Sequence, residues 1–305
     1  MSTVKKYLSL VKFSHTIFAM PFAMIGFFLG WQAWKIMRKG MDLTGAHFKL
    51  PFSVSVNEIV LKFILVILCM VFARSAAMAF NRYLDRHFDA KNPRTAIREI
   101  PSGIIRANSA LIFVLLNCIA FIVCCWFINR LCFYLSFVAL FVVLFYSYTK
   151  RFTALCHLVL GVGLSLAPIG AYLAVTGKFD LLPLLFSFAV LCWVSGFDII
   201  YALQDEQFDR ENNLHSIPAA LGAKKALRVS EVLHFLSSAF VLKAGDVGNF
   251  GWFYWIGAGI FTGMLMYQHS VVKPNDLRRV NLAFMTANGI ASVVFAIFVL
   301  IDMFI

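Results

Sequence analysis

The chain has 305 residues, of which 61% are apolar, 16% aromatic and only 14% charged, against about 25% charged for an ordinary soluble domain. So few polar side chains cannot cover a protein of this size in water, which excludes a soluble fold. The net charge of +12 could suit nucleic acid, but a mean hydropathy of +0.82 and the absence of any hydrophilic basic segment argue against that partner; Lys and Arg held in cytoplasmic loops explain the charge.

Apolar runs long enough to cross hydrocarbon, which takes about 20 residues, fall at 16–34, 59–83, 108–128, 131–148, 153–175, 182–203, 226–242, 251–269 and 283–304. The predicted fold is therefore all-α, a polytopic membrane bundle of nine transmembrane helices forming one domain over 1–305. The first run follows the basic segment MSTVKKYLSLVKFSH and continues to Trp34 without a small-residue cleavage site, so it reads as a transmembrane helix that is its own signal. Lys and Arg in alternate connections, beginning with Lys5, Lys6 and Lys12, outnumber those in the remaining connections by more than two to one. That bias puts the N-terminus in the cytoplasm and the C-terminus outside. Seven cysteines lie in or at the ends of apolar runs with no C-x-x-C spacing and read as small apolar side chains rather than as disulfides or metal ligands.

The acids concentrate in two inside connections, at about 84–107 and 204–225. NRYLDRHFD closes the second run with Asn81, Asp85 and Asp89, and the i, i+4, i+8 spacing sets all three on one helical face. GFDIIYALQDEQFD closes the sixth with Asp198, Asp205 and Asp209, and Tyr201 falls between them at helical spacing. Asp198 lies within the apolar run itself, where an unpaired carboxylate is costly, so it must face a polar cavity. Two facing rows of Asp and Asn oxygens suit a hard cation such as Mg²⁺, with a substrate phosphate supplying further ligands. Arg74 in the second run, Arg94 and Arg98 in NPRTAIREIPSG, and Lys150 and Arg151 in YSYTKRFT are the cations a diphosphate leaving group requires. GVGLSLAPIG at 161–170 reads as close helix packing, with no preceding strand and no P-loop lysine. His15, His157, His215, His234 and His269 are scattered, and none reads as a ligand.

NRYLDRHFDAKNPRTAIREIPSG and DIIYALQDEQFDRENNLHSIP resemble the two aspartate-rich signatures of the UbiA superfamily of intramembrane aromatic prenyltransferases. The resemblance extends over nearly the whole chain, including KFSHTIFAMPFA and YSYTKRFT. One departure is Arg82, where many members carry a second acid after the Asn, which moves metal-binding weight onto Asn81 and Asp85. The resemblance implies transfer of a prenyl group from a polyprenyl diphosphate to an aromatic acid. The branch most similar acts on 4-hydroxybenzoate in ubiquinone synthesis, with relatives that prenylate a hydroxynaphthoate for menaquinone. It further implies a bacterial inner membrane location with the active site on the cytoplasmic side. Asn81, Asp85, Asp89, Asp205 and Asp209 would hold Mg²⁺, and Arg74, Arg94, Lys150 and Arg151 would bind the diphosphate with Tyr201 beside them. Asp85, Asp205 and Asp198 are the catalytic acids, with Asp198 removing the ring proton.

Two rival readings are weaker. A CDP-alcohol phosphotransferase would carry a leading Asp-Gly pair and needs no second acidic helix. An ion-coupled transporter predicts acids spread near the middle of the membrane, whereas all but Asp198 lie at inside helix ends.

Overall fold

The computed structural model describes residues 3–12, 18–44 and 56–305. The middle of the KFSHTIFAMPFA segment with His15, and the connection that carries Lys49, lie outside the described residues. Among the described residues, each of the nine apolar runs carries a helix, and a helix satisfies its own N–H and C=O groups where the chain meets lipid. In chain order the helices are α1 (Thr3–Leu10), α2 (Met20–Thr44), α3 (Val56–Lys91), α4 (Ala107–Ile128), α5 (Arg130–Thr149) and α6 (Cys156–Thr176), then α7 (Leu181–Ala202), α8 (Glu206–Glu211), α9 (Ile217–Leu221), α10 (Ala223–Val247), α11 (Trp252–Val271) and α12 (Asn288–Phe304). A 3₁₀ turn, Leu203–Asp205, joins α7 to α8, and a π turn, Leu282–Ala287, leads into α12.

Among the described residues, six helices are long and apolar enough to cross a membrane: α3, α4, α5, α6, α7 with its continuation to Glu211, and α12 with its π turn. The chain is a multi-pass membrane protein. Helices α2, α10 and α11 fall below that measure; α10 opens on Lys224, Lys225, Arg228 and Glu231.

Helix α7 lies between α6 and α10, α2 runs along α6, α3 along α4, and α11 along α12. Its aromatic side chains meet those of α2, α11 and α12 in a core built on the fully buried Phe22, Phe186, Trp193, Tyr254, Phe261 and Phe295. Trp193 Nε1 donates to Asn288 Oδ1 at 2.7 Å, and Gln268 Nε2 donates to the same oxygen at 2.8 Å, which ties α7 to α11 and α12. A second cluster joins α2, α3, α4, α5 and α6 and takes in Cys69, Cys124, Cys125 and Cys132. Close crossings depend on small residues: a Cβ at Gly26 would sit 2.0 Å from the Pro168 carbonyl oxygen, and one at Gly161 would sit 2.6 Å from that of Leu191. The 161–170 stretch is thus a packing seam, as its composition predicts. The outer faces of α4 and α5 leave Ile112, Leu116, Phe137 and Phe141 exposed, the surface a lipid-facing helix presents.

Candidate active site

Helix α3 is 36 residues long and runs past its apolar part, carrying Asn81, Asp85 and Asp89 to the end of the bundle. Helix α7 does the same for Asp198 and Tyr201. The chain then tightens into the 3₁₀ turn, with Asp205 at φ −109° and ψ 6°, before α8 supplies Asp209. The sequence predicts one unbroken face for Asp198, Asp205 and Asp209, and the 3₁₀ turn interrupts it. All seven of these side chains nevertheless line one cavity of about 190 Å³, together with Arg94, Arg98, Lys150 and Arg151.

Four carboxylates in the cavity each have a cation. Arg151 Nη2 donates to Asp85 Oδ1 at 3.0 Å and to the Leu84 carbonyl at 3.1 Å. Arg98 Nη1 donates to Asp89 Oδ1 at 2.6 Å. Arg94 grips Asp205 with two donors, Nε at 3.0 Å from Oδ1 and Nη2 on Oδ2. Lys150 Nζ lies 2.8 Å from Asp209 Oδ1. The connection after α3 closes over the site: Asn92 Nδ2 donates to Asp205 Oδ1 at 3.0 Å, and Arg94 Nη1 donates to the Tyr201 hydroxyl at 3.1 Å. Burial disfavours the charged forms of Arg94 and Lys150, but Asp205 and Asp209 outweigh it, so both cations titrate above their ordinary ranges. Both therefore stay charged at neutral pH, as anion-binding groups must.

Arg74 stands apart from the other sequence-predicted residues. It is absent from the cavity lining and half-buried in α3, with its Nε enclosed and without a hydrogen-bond partner, within Coulombic reach of Tyr146, which does line the cavity.

The donor set fits a hard divalent cation in kind. It is made of oxygens from Asn81, Asp85, Asp89, Asp205 and Asp209, and Asp89 Oδ2 is buried without a hydrogen-bond partner. Among the described residues, no three acids, histidines or cysteines converge to chelate an ion by themselves. A divalent ion held there would share its coordination with a substrate phosphate.

Several lining residues have no role assigned from the sequence, although four of them lie in the NPRTAIREIPSG and YSYTKRFT segments. Tyr146 and Ser147 lie one turn before Lys150, Asn92 and Thr95 in the connection after α3, and His157 at the start of α6. His157, unremarkable in the sequence, has Nδ1 2.7 Å from Asp198 Oδ2. Ser216 Oγ donates to Asp209 Oδ2 at 2.9 Å, and the His215 N–H donates to the Lys150 carbonyl at 2.7 Å. These contacts tie the connection after α8 to the one before α6.

Comparison with known proteins shows the family and the fold. A model of the UbiA prenyltransferase family matches residues 43–290. A 4-hydroxybenzoate octaprenyltransferase of Nitrosospira multiformis is 31% identical over 231 residues, 75% of this chain and 79% of that protein. The apo structure of a UbiA homologue from Aeropyrum pernix superposes with a TM-score of 0.75 at 26% identity, covering 95% of this chain and 97% of that one. A UbiA homologue from Archaeoglobus fulgidus, bound to GPP and Mg²⁺, has the same fold, with a TM-score of 0.67 at 16% identity over 98% of this chain and all of that one. With the family model matching four-fifths of its length and both acidic clusters lining one cavity, the chain is a prenyltransferase and belongs to the UbiA prenyltransferase family.

Proposed function

We propose that this enzyme transfers a polyprenyl group from its diphosphate to the ring of an aromatic acid, 4-hydroxybenzoate, in quinone biosynthesis. The observation that carries the reading is a single cavity in which Asp85, Asp89, Asp205 and Asp209 are paired with Arg151, Arg98, Arg94 and Lys150. Acids and cations so matched can exchange partners with a metal diphosphate. The name of the Nitrosospira relative supports the acceptor, and the GPP and Mg²⁺ in the Archaeoglobus homologue support the donor and metal.

Asn81, Asp85, Asp89, Asp205 and Asp209 would hold Mg²⁺ jointly with the diphosphate, and the bound ion would neutralise charge on the leaving group. Arg94, Lys150 and Arg151, freed from their carboxylates, donate to diphosphate oxygens. Tyr201 keeps Arg94 aimed through its hydroxyl. Arg74, outside the cavity lining, touches neither substrate in this reading. The allylic C–O bond breaks with its electron pair leaving on the diphosphate, and the ring carbon ortho to the hydroxyl attacks. Asp198 then accepts the displaced ring proton. Phe88, Leu160 and Phe208 in the lining keep water from the allylic cation.

The whole chain acts as one membrane domain. In this reading all nine long helices cross the bilayer with the N-terminus in the cytoplasm, and the cavity opens at the cytoplasmic face of a bacterial inner membrane. The Lys and Arg bias between connections supports that orientation.

The test incubates membranes with Mg²⁺, a polyprenyl diphosphate and either 4-hydroxybenzoate or a dihydroxynaphthoate, and weighs the product by mass spectrometry. Prenylated 4-hydroxybenzoate is the expected product, formed roughly a hundredfold or more slowly by Asp85→Ala and Asp205→Ala. Wild-type rates in those variants sink the site assignment, and product from the naphthoate alone moves the acceptor to that class.

A further inference from the structure

The proposed chemistry leaves His157, a buried titratable side chain in the site, without a task. His157, at the first turn of α6, is 3% exposed. Its Nδ1 lies 2.7 Å from Asp198 Oδ2, and its Nε2 faces the Ile217 backbone N–H at 3.3 Å. A backbone N–H can only donate, so Nε2 is the bare ring nitrogen and Nδ1 carries the hydrogen that Asp198 accepts. The tautomer is therefore set by the chain rather than by solvent. Ile217 opens α9, whose N-cap Ser216 also donates to Asp209, so the same short helix orients both His157 and an acid of the second cluster.

Asp198 is held asymmetrically. Oδ2 has His157, whereas Oδ1 has no hydrogen-bond partner among the described residues, and the side chain lines the cavity. A carboxylate on an apolar helix needs at least one such bond to be tolerated there. The imidazole supplies it from behind and leaves the second oxygen for a substrate.

From this we infer that His157 is a positioning residue for prenyl transfer, holding Asp198 by one oxygen so that the other meets the proton of the acceptor ring. The inference rests on Asp198 being the proton acceptor. In the step itself the ring C–H bond breaks, its electron pair returns to the aromatic system, and the proton goes to Asp198 Oδ1. The Nδ1 hydrogen stays on His157 throughout, donated to Oδ2.

The experiment uses purified full-length enzyme with geranyl diphosphate, Mg²⁺ and 4-hydroxybenzoate carrying deuterium at both ring positions ortho to the hydroxyl. In the wild type, loss of the ring proton is fast and no primary isotope effect is expected. In His157→Leu, kcat falls by roughly ten- to a hundredfold, the KM for geranyl diphosphate stays unchanged, and a primary isotope effect emerges because proton removal has become slow. His157→Asn places an amide N–H where Nδ1–H stood, and it restores most of kcat and abolishes the isotope effect. Equal loss in the Leu and Asn variants without an isotope effect overturns the inference, since packing alone would then account for the residue. Asp198→Asn separates the two readings. If it turns over at the wild-type rate, Asp198 is not the base and both fall; if it is slow with an isotope effect while His157→Leu behaves as wild type, only the role of His157 is lost. A measurement independent of turnover is the ¹⁵N spectrum of His157 in the wild type. It should show hydrogen on Nδ1, and hydrogen on Nε2 alone would overturn the arrangement.

Discussion

Asp209 is fully enclosed, with Oδ1 beside Lys150 and Oδ2 accepting from Ser216, while Lys150 keeps a third of its side chain exposed. Removing the cation strands a buried carboxylate, so Lys150→Met should cost about 3 kcal/mol, the low end for a broken buried pair because one partner is partly solvated. The double variant Lys150→Met with Asp209→Asn should recover most of that stability in thermal unfolding in detergent, while activity stays lost in both. Because the folded pKa of Lys150 lies above its ordinary value, the stabilisation from its charge is complete below the unfolded lysine pKa. It is lost only as pH rises through the higher folded value, so unfolding followed from pH 6 to pH 9 should show no loss from this group. At this scale the sequence shows Asn81, Asp85 and Asp89 plainly, because partners one turn apart on a helix share a face whatever surrounds them. His157 is invisible there: its partners Asp198 and Ile217 lie 41 and 60 residues away.

At the scale of elements, the acid-bearing ends are held in place by helix crossings that tolerate no Cβ. Gly26→Ala would drive a methyl into the Pro168 backbone, where the built Cβ lies within 3 Å of O, C and Cα alike. The α2 and α6 helices must then separate, at about 1–3 kcal/mol. Gly259→Ala in α11 is the matched control, since its Cβ meets nothing within 4 Å and Ala favours the helix by up to about 1 kcal/mol. Thermal unfolding in detergent should therefore fall for the first variant and hold or rise for the second. The 3₁₀ turn at Leu203–Asp205 belongs to the same scale. Its residues are ordinary helix formers, and nothing in the local spacing of the second acidic cluster signals that the helix tightens there. The grip of Arg94 and Asn92 on Asp205 from another connection is a tertiary influence that periodicity does not carry.

For the whole molecule, the matched charges of the cavity predict how it takes up its metal. Each of four acids already has a cation, so Mg²⁺ alone must displace Arg or Lys with nothing to receive them. Calorimetry should show weak binding of Mg²⁺ by itself and at least tenfold tighter binding in the presence of a non-reactive prenyl diphosphate analogue, whose oxygens take over the freed cations. Equal affinity in both cases would count against the exchange. Removing the metal with EDTA should stop transfer, and restoring Mg²⁺ should recover it.

The amino-acid sequence by itself determined that this is a membrane protein, that its nine apolar runs are helices, and that two rows of acids end two of them. Each is a property of a short window: hydropathy summed over one span, or side chains one turn apart on one helix. Only the tertiary structure decided which cation meets which acid, that Arg74 lies outside the cavity lining, and that His157 stands behind Asp198. Those pairings depend on how closely helices cross and where the connections after α3 and α8 fold back, and such distances are set by packing between segments far apart in the chain.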